Sequence, residues 1–143
     1  MHPFKNSREI STIALFYGVG AFVLLYWFSS IGLTKLINWW FYPHIPEELL
    51  ISFANSPWFQ LFGLLLYLIP GFISGYIAHN ASITHGLIVG TFTVPIIALF
   101  VFAGGLASAV TLATFSNGLA LGLFWCSLAA WVGGRIATWR RRL

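Results

Sequence analysis

The sequence predicts an all-α polytopic membrane protein with four transmembrane helices, and three observations lead to this fold class. Of its residues, 59% are hydrophobic and only 7% are charged, and the mean hydropathy of +0.87 lies outside the range of soluble domains. Between Ser11 and Gly134 the only charged side chains are Lys35, Glu47 and Glu48, which fall in or beside one short stretch. The apolar runs on either side are long enough to cross a bilayer, which takes roughly 20 residues.

The chain divides into four predicted helices within a single domain, residues 1–143. We expect these helices at residues 11–37, 58–78, 85–112 and 118–138. The first apolar run is longer than the core of a secretory signal peptide, so we expect it to be retained as a helix. At roughly 20 residues per crossing, the length allows four crossings and no additional soluble catalytic domain.

Three connections are predicted between the helices. In the first connection, Pro46 followed by Glu47 and Glu48 is typical of the start of a short helix. That segment is either an amphipathic helix on the bilayer surface or an ordinary packed loop. A polar turn around Asn80 leads into the third helix, and residues 114–118 are predicted to form the last turn.

Basic residues near the helix ends predict the orientation of the bundle. Lys5 and Arg8 precede the first helix. By the positive-inside rule we expect both termini in the cytoplasm and the protein in the inner (plasma) membrane. Tyr76, Trp131 and Trp139 are expected in the aromatic belt on that side. The basic residues that close the fourth helix are Arg135, Arg140, Arg141 and Arg142.

Two stretches of the sequence repeat one pattern. Residues 71–78 (GFISGYIA) and 130–137 (AWVGGRIA) share apolar, small, Gly, Ile and Ala positions at an offset of 59. Both copies end even-numbered helices, so they predict two parallel two-helix repeats related by an axis along the membrane normal. Coincidence within a low-complexity apolar sequence is the alternative, and the sequence does not decide between the two.

Every predicted helix carries two small residues spaced four apart, a spacing that lets helix backbones approach closely in lipid. Two interpretations are open. The pairs pack one compact bundle, or one of them forms a seam with a second copy or a partner protein. The pairs are Ala14 with Gly18, Gly71 with Gly75, Gly86 with Gly90, and Gly118 with Gly122.

Two prolines lie within the second and third helices, where each removes one backbone hydrogen bond and bends the helix. The bends are either a packing adjustment or part of a path for a neutral or apolar solute, because no charged side chain is present there to bind an ion. Threonines before the second proline can satisfy freed carbonyls. The predicted solute path consists of Pro70, Gly71, Thr91, Thr93 and Pro95.

The titratable residues do not form a catalytic or metal-binding pattern. The chain has no Asp, and His79 and His85 are six residues apart across a turn, which is not the spacing of metal ligands. We interpret them as polar residues of the turn, one of them hydrogen-bonded at a helix end, with a proton relay or metal site as the alternative. Because no catalytic pattern is present, we expect no enzyme activity and no cofactor. We also expect no nucleic-acid partner, because arginines beside a membrane helix suit anionic headgroups.

Residues 70–90 (PGFISGYIAHNASITHGLIVG) contain Gly-x-x-x-Gly-Tyr-Ile-Ala, a polar turn and His-Gly-x-x-x-Gly. This segment resembles the centre of a family of small, uncharacterised four-helix bacterial inner-membrane proteins. Residues 133–142 (GGRIATWRRR) are similar to the C-terminal ends of that family. The resemblance implies a four-helix inner-membrane protein, and the family offers no activity or site residues to transfer.

These observations predict a function within the bilayer. The first hypothesis is a non-enzymatic bundle that acts by association, either as an accessory subunit of a larger membrane complex or as a homo-oligomer. The alternative is a small transporter or channel for a neutral or apolar solute. Small multidrug exporters need a membrane-embedded Glu in the first helix, which this chain lacks, whereas a holin-like pore former stays open.

Overall fold

The computed structural model describes residues 10–29, 57–103 and 112–142. Within these ranges the chain is helical apart from short turns, which confirms the all-α fold class. A 3₁₀ turn, His79–Ala81, joins the second helix to the third. The helices of the described residues are α1 (Thr12–Trp27), α2 (Pro57–Ala78), α3 (Ser82–Ala103) and α4 (Leu112–Arg140).

Three of the helices are long and apolar enough to cross a membrane, with spans of 18, 22 and 25 residues in α2, α3 and α4. α1 is also apolar but shorter, with 16 residues. The rest of the predicted first helix, residues 30–37, lies outside the described residues. Large apolar side chains cover the outside, and Phe16, Leu99 and Phe124 are 75%, 69% and 60% exposed. Such a surface suits lipid rather than water.

The turns before α3 and α4 differ from the sequence prediction. Residues 104–111 of the predicted third helix lie outside the described residues. α3 begins at Ser82 and not at His85, because the turn before it takes only three residues. α4 begins at Leu112, so the turn predicted at residues 114–118 lies inside this helix. Asn-Gly is a turn signal by local propensity. In lipid a continuous helix satisfies its own backbone hydrogen bonds, and that requirement outweighs the local signal.

The contact between α2 and α4 shows that these helices run in the same direction. Gly71 of α2 lies against Cys126 of α4, and Gly75, one turn later, lies against Ala130. Residue numbers therefore rise together along both helices. Two parallel repeats require this orientation, while the duplication itself stays a prediction.

α1 and α3 also run in the same direction. Ser11 is hydrogen-bonded to His85 at one end, and the Tyr26 and Phe100 ring centroids lie 5.3 Å apart towards the other. The starts of α1 and α3 thus lie with the end of α4 near the turn His79–Ala81. We call this the basic end, because it carries Arg135, Arg140, Arg141 and Arg142.

α4 is the helix on which the bundle packs. The contacts of α2 and α3 with α4 are the most extensive in the described structure, whereas α1 packs mainly on α2 and α3. The buried side chains of α4 are small, and Cys126 and Ala130 are fully buried. Small side chains let neighbouring backbones approach, and close approach maximises the dispersion contacts that hold helices together in lipid.

Candidate association surface and the basic end

The predicted small-residue pair of α2 lies in the contact with α4. A methyl group at Gly71 would lie 2.7 Å from the Cys126 Cα atom, and one at Gly75 would lie against the Ala130 backbone. Real Cβ atoms do not come this close to backbone. The two helices therefore touch backbone to backbone, and the Cys126 thiol reinforces the contact by donating to the Tyr67 carbonyl oxygen at 3.3 Å.

The pair of α3 lies in the second contact with α4. A methyl group at Gly86 would lie 2.6 Å from the Cys126 carbonyl oxygen. Gly90 faces Gly122 directly, and a methyl group at Gly90 would lie 2.7 Å from the Gly122 carbonyl carbon. α3 therefore meets α4 in the same way as α2 does.

The pair of α1 packs differently, against side chains. Ala14 and Gly18 are both buried. A methyl group at Gly18 would lie 2.8 Å from Ser74 Cβ and 2.8 Å from Val89 Cγ2, side-chain atoms of α2 and α3, and 3.3 Å from the Pro70 carbonyl oxygen. The Ser74 hydroxyl is buried at this contact without a hydrogen-bond partner among the described residues.

Gly118 is the exception among the predicted packing residues. A methyl group there would have no atom of a neighbouring element within 4 Å. The other seven residues lie in contacts between helices of one bundle, so the geometry favours intramolecular packing for them. A surface for a partner must then be sought on the outside of the bundle.

The residues of the predicted solute path do not share one surface. Pro70 and Gly71 are buried in the contacts of α2, and Thr93 is buried in α3. Thr91 and Pro95 are exposed on the outside of α3. A path through all five positions stays a prediction, and it requires the helices to separate.

The two threonine hydroxyl groups bond within their own helix. Thr91 donates to the Leu87 carbonyl oxygen at 2.9 Å, and Thr93 donates to the Gly90 carbonyl oxygen at 2.7 Å. Pro95 has no N–H group, so the carbonyl that it frees is that of the residue four positions earlier, Thr91. Neither hydroxyl group therefore bonds to the freed Thr91 carbonyl, contrary to the expectation from the sequence.

His85 joins the start of α1 to the start of α3. Its ring is fully buried, and its Nδ1–H donates to the Ala81 carbonyl oxygen at 2.7 Å. Its Nε2 accepts the Ser11 N–H at 2.8 Å. Because a carbonyl only accepts and an N–H only donates, the ring is neutral with its proton on Nδ1. The Ser11 hydroxyl also caps α1 by accepting the Ala14 N–H at 3.3 Å. His85 is thus hydrogen-bonded at the starts of two helices.

His79 directly follows the last residue of α2 and has a left-handed backbone conformation, with φ of 50°. Few residues other than glycine adopt this region, and histidine is among those that are enriched there. Its Nδ1–H donates to the Tyr76 carbonyl oxygen at 2.6 Å, which satisfies one of the last carbonyls of the helix. Within residues 10–29, 57–103 and 112–142, no group of three or more His, Cys, Asp or Glu side chains can hold a metal ion.

An apolar groove runs along the outer side of the contact between α2 and α4, and the sequence analysis missed it. Its volume is about 360 Å³. Apolar residues four apart on each helix form its two sides, but in a chain this apolar such spacings occur everywhere and single out no surface. We call it the α2–α4 groove, and its residues are Leu68, Ile69, Phe72, Leu128, Ala129 and Val132.

A second cleft lies at the basic end, between the start of α3 and the last turns of α4. Its volume is also about 360 Å³. In contrast to the groove, its walls are polar and cationic over much of their area. We call it the basic cleft, and its polar and aromatic residues are His79, Ser82, Trp131, Arg135, Thr138 and Arg142. Arg140 points elsewhere, since it donates to the Tyr76 hydroxyl at 3.2 Å.

No family model, no curated protein and no solved structure matches this chain. The resemblance of residues 70–90 to a family of four-helix inner-membrane proteins therefore stays a prediction.

Proposed function

We propose that the protein acts by association within the inner membrane, as an accessory subunit of a membrane complex or as a homo-oligomer. The observation that carries this proposal is the α2–α4 groove. It is apolar, lies on the outside of the bundle and has a volume of about 360 Å³. A transmembrane helix of a partner would place a ridge of side chains in it.

The physical basis is the way helices associate in lipid. Lipid tails are as apolar as the helices, so association depends on van der Waals packing and not on the removal of water. A groove between two helices gives an incoming ridge contacts on both sides, which a convex helix surface does not. The glycine contacts under the groove hold α2 and α4 at a fixed separation, so the groove is preformed and costs little ordering.

The transport alternative has less support from the geometry. Its predicted path begins at Pro70 and Gly71, where a methyl group added to Gly71 would lie 2.7 Å from the Cys126 Cα atom. A solute could pass there only if α2 separated from α4, which would break the most extensive contact of the described structure.

We also propose that the basic end faces the cytoplasm. Four arginines cluster at this end of the bundle, with the start of α1 beside them: Arg135, Arg140, Arg141 and Arg142. Under the positive-inside rule this end stays on the side of synthesis.

The experiment blocks the groove without touching the core. Val132 lines the groove and is 38% exposed, so Val132→Trp fills it from the outside. Leu121 lies on the same helix, is 48% exposed and does not line the groove, so Leu121→Trp is the matched control. Both variants and the parent chain are extracted at native expression level in a lipid-preserving polymer, and the mass and co-purifying proteins are determined.

We expect a stoichiometric partner or a defined oligomer with the parent and with Leu121→Trp, and a loss of about tenfold or more with Val132→Trp, since hot-spot changes cost more than about 1.4 kcal/mol. A parent protein that is monomeric and without a partner would sink the proposal. Liposome flux assays would then test the transport alternative with Gly71 and Pro95 variants.

A further inference from the structure

We propose that the basic cleft binds the phosphate of an anionic phospholipid headgroup. The cleft has a volume of about 360 Å³ and lies between the start of α3 and the last turns of α4. Cationic, hydroxyl and apolar groups meet there. The inference does not depend on the association proposed above, because the α2–α4 groove is a separate surface.

Two guanidinium groups line the cleft. The Arg135 Cζ atom lies 5.5 Å from the centroid of the Trp131 ring, a cation–π contact that positions this guanidinium. Arg142 follows the helix end in a turn closed by its own N–H, which donates to the Trp139 carbonyl oxygen at 3.0 Å. Guanidinium groups match phosphate oxygens with two parallel hydrogen bonds. Since residues 10–29, 57–103 and 112–142 contain no Asp or Glu, neither group has a carboxylate partner among them.

The floor of the cleft presents the first residue of α3. A methyl group at Gly134 would lie 2.6 Å from the Ser82 hydroxyl oxygen, so the glycine leaves this hydroxyl uncrowded. The partial positive charge at the start of a helix also favours an anion. Ser82 therefore adds a neutral donor to the two cationic ones.

The apolar wall of the cleft points to a lipid and not to a free ion. Ile83 and Trp131 line it and are 49% and 44% exposed. Leu87 lies one turn further along α3 and is 43% exposed. Tryptophan prefers the headgroup depth of a bilayer, and aliphatic side chains beside it suit the start of an acyl chain. A phospholipid satisfies both parts of the cleft at once.

The test compares arginine variants of the full-length protein in neutral maltoside micelles. Arg135→Gln and Arg142→Gln each remove a cation from the cleft. Arg141→Gln removes the same charge from an exposed neighbour that does not line it, and serves as the matched control. Native mass spectrometry measures how much protein retains added phosphatidylglycerol. Phosphatidylcholine and inorganic phosphate are added separately as comparison probes.

We expect each cleft variant to lose about tenfold in retained phosphatidylglycerol, and Arg141→Gln to lose less than about threefold, because only the cleft variants lose a phosphate-binding guanidinium. Equal losses in Arg141→Gln and Arg142→Gln would overturn the inference, since they indicate general charge attraction. Equal retention of phosphatidylcholine would do the same. Binding of inorganic phosphate as strong as that of phosphatidylglycerol would replace the lipid with a free phosphate.

Discussion

α1 and α4 both pack on α2 and α3, but they are held in different ways. α4 meets its neighbours backbone to backbone, as at Gly75, where an added methyl group would lie against the Ala130 backbone. α1 meets them through side chains, as at Gly18, which faces Ser74 Cβ and Val89 Cγ2. The start of α1 is also held by a hydrogen bond, which the Ser11 N–H donates to the His85 ring of α3.

The difference shows two ways to hold a helix in lipid. Close contact between two backbones provides dispersion energy over a long surface without any polar group. The backbones cannot move apart locally to make room for a larger side chain. In the α1 contact, rotation of the Val89 side chain can move Cγ2, whereas Ser74 Cβ moves only with the α2 backbone. The hydrogen bond between Ser11 and His85 fixes the start of α1. We therefore expect substitutions in the α4 contacts to be strongly destabilising. Substitutions in the α1 contact should cost less, and loss of its hydrogen bond should affect only the residues nearby.

The largest effect is expected at the α2–α4 contact. Gly75→Ala should lower the free energy of unfolding by about 3 kcal/mol, because the backbone of Ala130 cannot move aside as a side chain does. Unfolding in mixed maltoside and dodecyl sulfate micelles measures it. Gly63→Ala is the control on the same helix, since a methyl group there has no neighbour within 4 Å, and it should be neutral or stabilising by up to about 1 kcal/mol. Equal losses at both positions would contradict the rigid contact.

A smaller effect is expected when the polar tie of α1 is removed. His85→Leu leaves the Ser11 N–H and the Ala81 carbonyl oxygen without their partner and should cost about 2 kcal/mol, confined to the starts of α1 and α3. Hydrogen exchange of the amides near Ala14 should accelerate, while those around Cys126 stay protected. His85→Gln, whose amide oxygen reaches about as far as Nε2, should restore part of the protection. Accelerated exchange around Cys126 as well would show that the two contacts are not independent.

A third change tests whether the α1 contact adjusts. Gly18→Ala should cost about 1 kcal/mol, less than Gly75→Ala, because its methyl group would meet backbone only at the Pro70 carbonyl oxygen, 3.3 Å away, whereas at Gly75 it would meet the Ala130 backbone much more closely. Val89→Ala removes Cγ2 but leaves the equally close contact with Ser74 Cβ, so the double variant should show a favourable coupling of about 0.5 kcal/mol in a double-mutant cycle. A coupling near zero would contradict the packing described for α1.

The smallest effect is expected outside both contacts, at the turn. His79 has φ of 50°, so His79→Gly removes the strain of this conformation, whereas His79→Ala keeps it. Both variants lose the bond to the Tyr76 carbonyl oxygen. The glycine variant should therefore be the more stable by about 1 kcal/mol, measured by the same unfolding assay. The reverse order would show that the backbone at this turn carries no strain.

The sequence was sufficient to predict the helical fold class, because apolar runs long enough to span a bilayer are a strong signal. The sequence left open whether the small-residue pairs pack the bundle or form a partner seam, and seven of those eight residues lie in contacts between helices. It did not predict that α4 begins at Leu112, since the Asn-Gly turn signal is local and the helix continues through it.

The surfaces were harder to predict than the packing. Whether a glycine faces a neighbouring helix or the outside depends on the rotation of its helix, which a sequence this apolar does not determine. The sequence therefore did not distinguish Gly118, which has no neighbour, from Gly122, which contacts α3. The basic cleft depends on a turn that returns Arg142 to the start of α3, a contact between distant parts of the chain. The tie between Ser11 and His85 spans 74 residues for the same reason.

The position of the single cysteine gives the bundle a reporter of its own motion. Cys126 is fully buried between α2 and α4, and its thiol donates to Tyr67 across that contact. A maleimide reagent can therefore reach the sulfur only while the two helices are apart. Because the thiolate is the form that reacts, the labelling rate of the unaltered protein, in liposomes or in its native membrane, counts those openings of this contact that also admit water, and it needs no introduced probe.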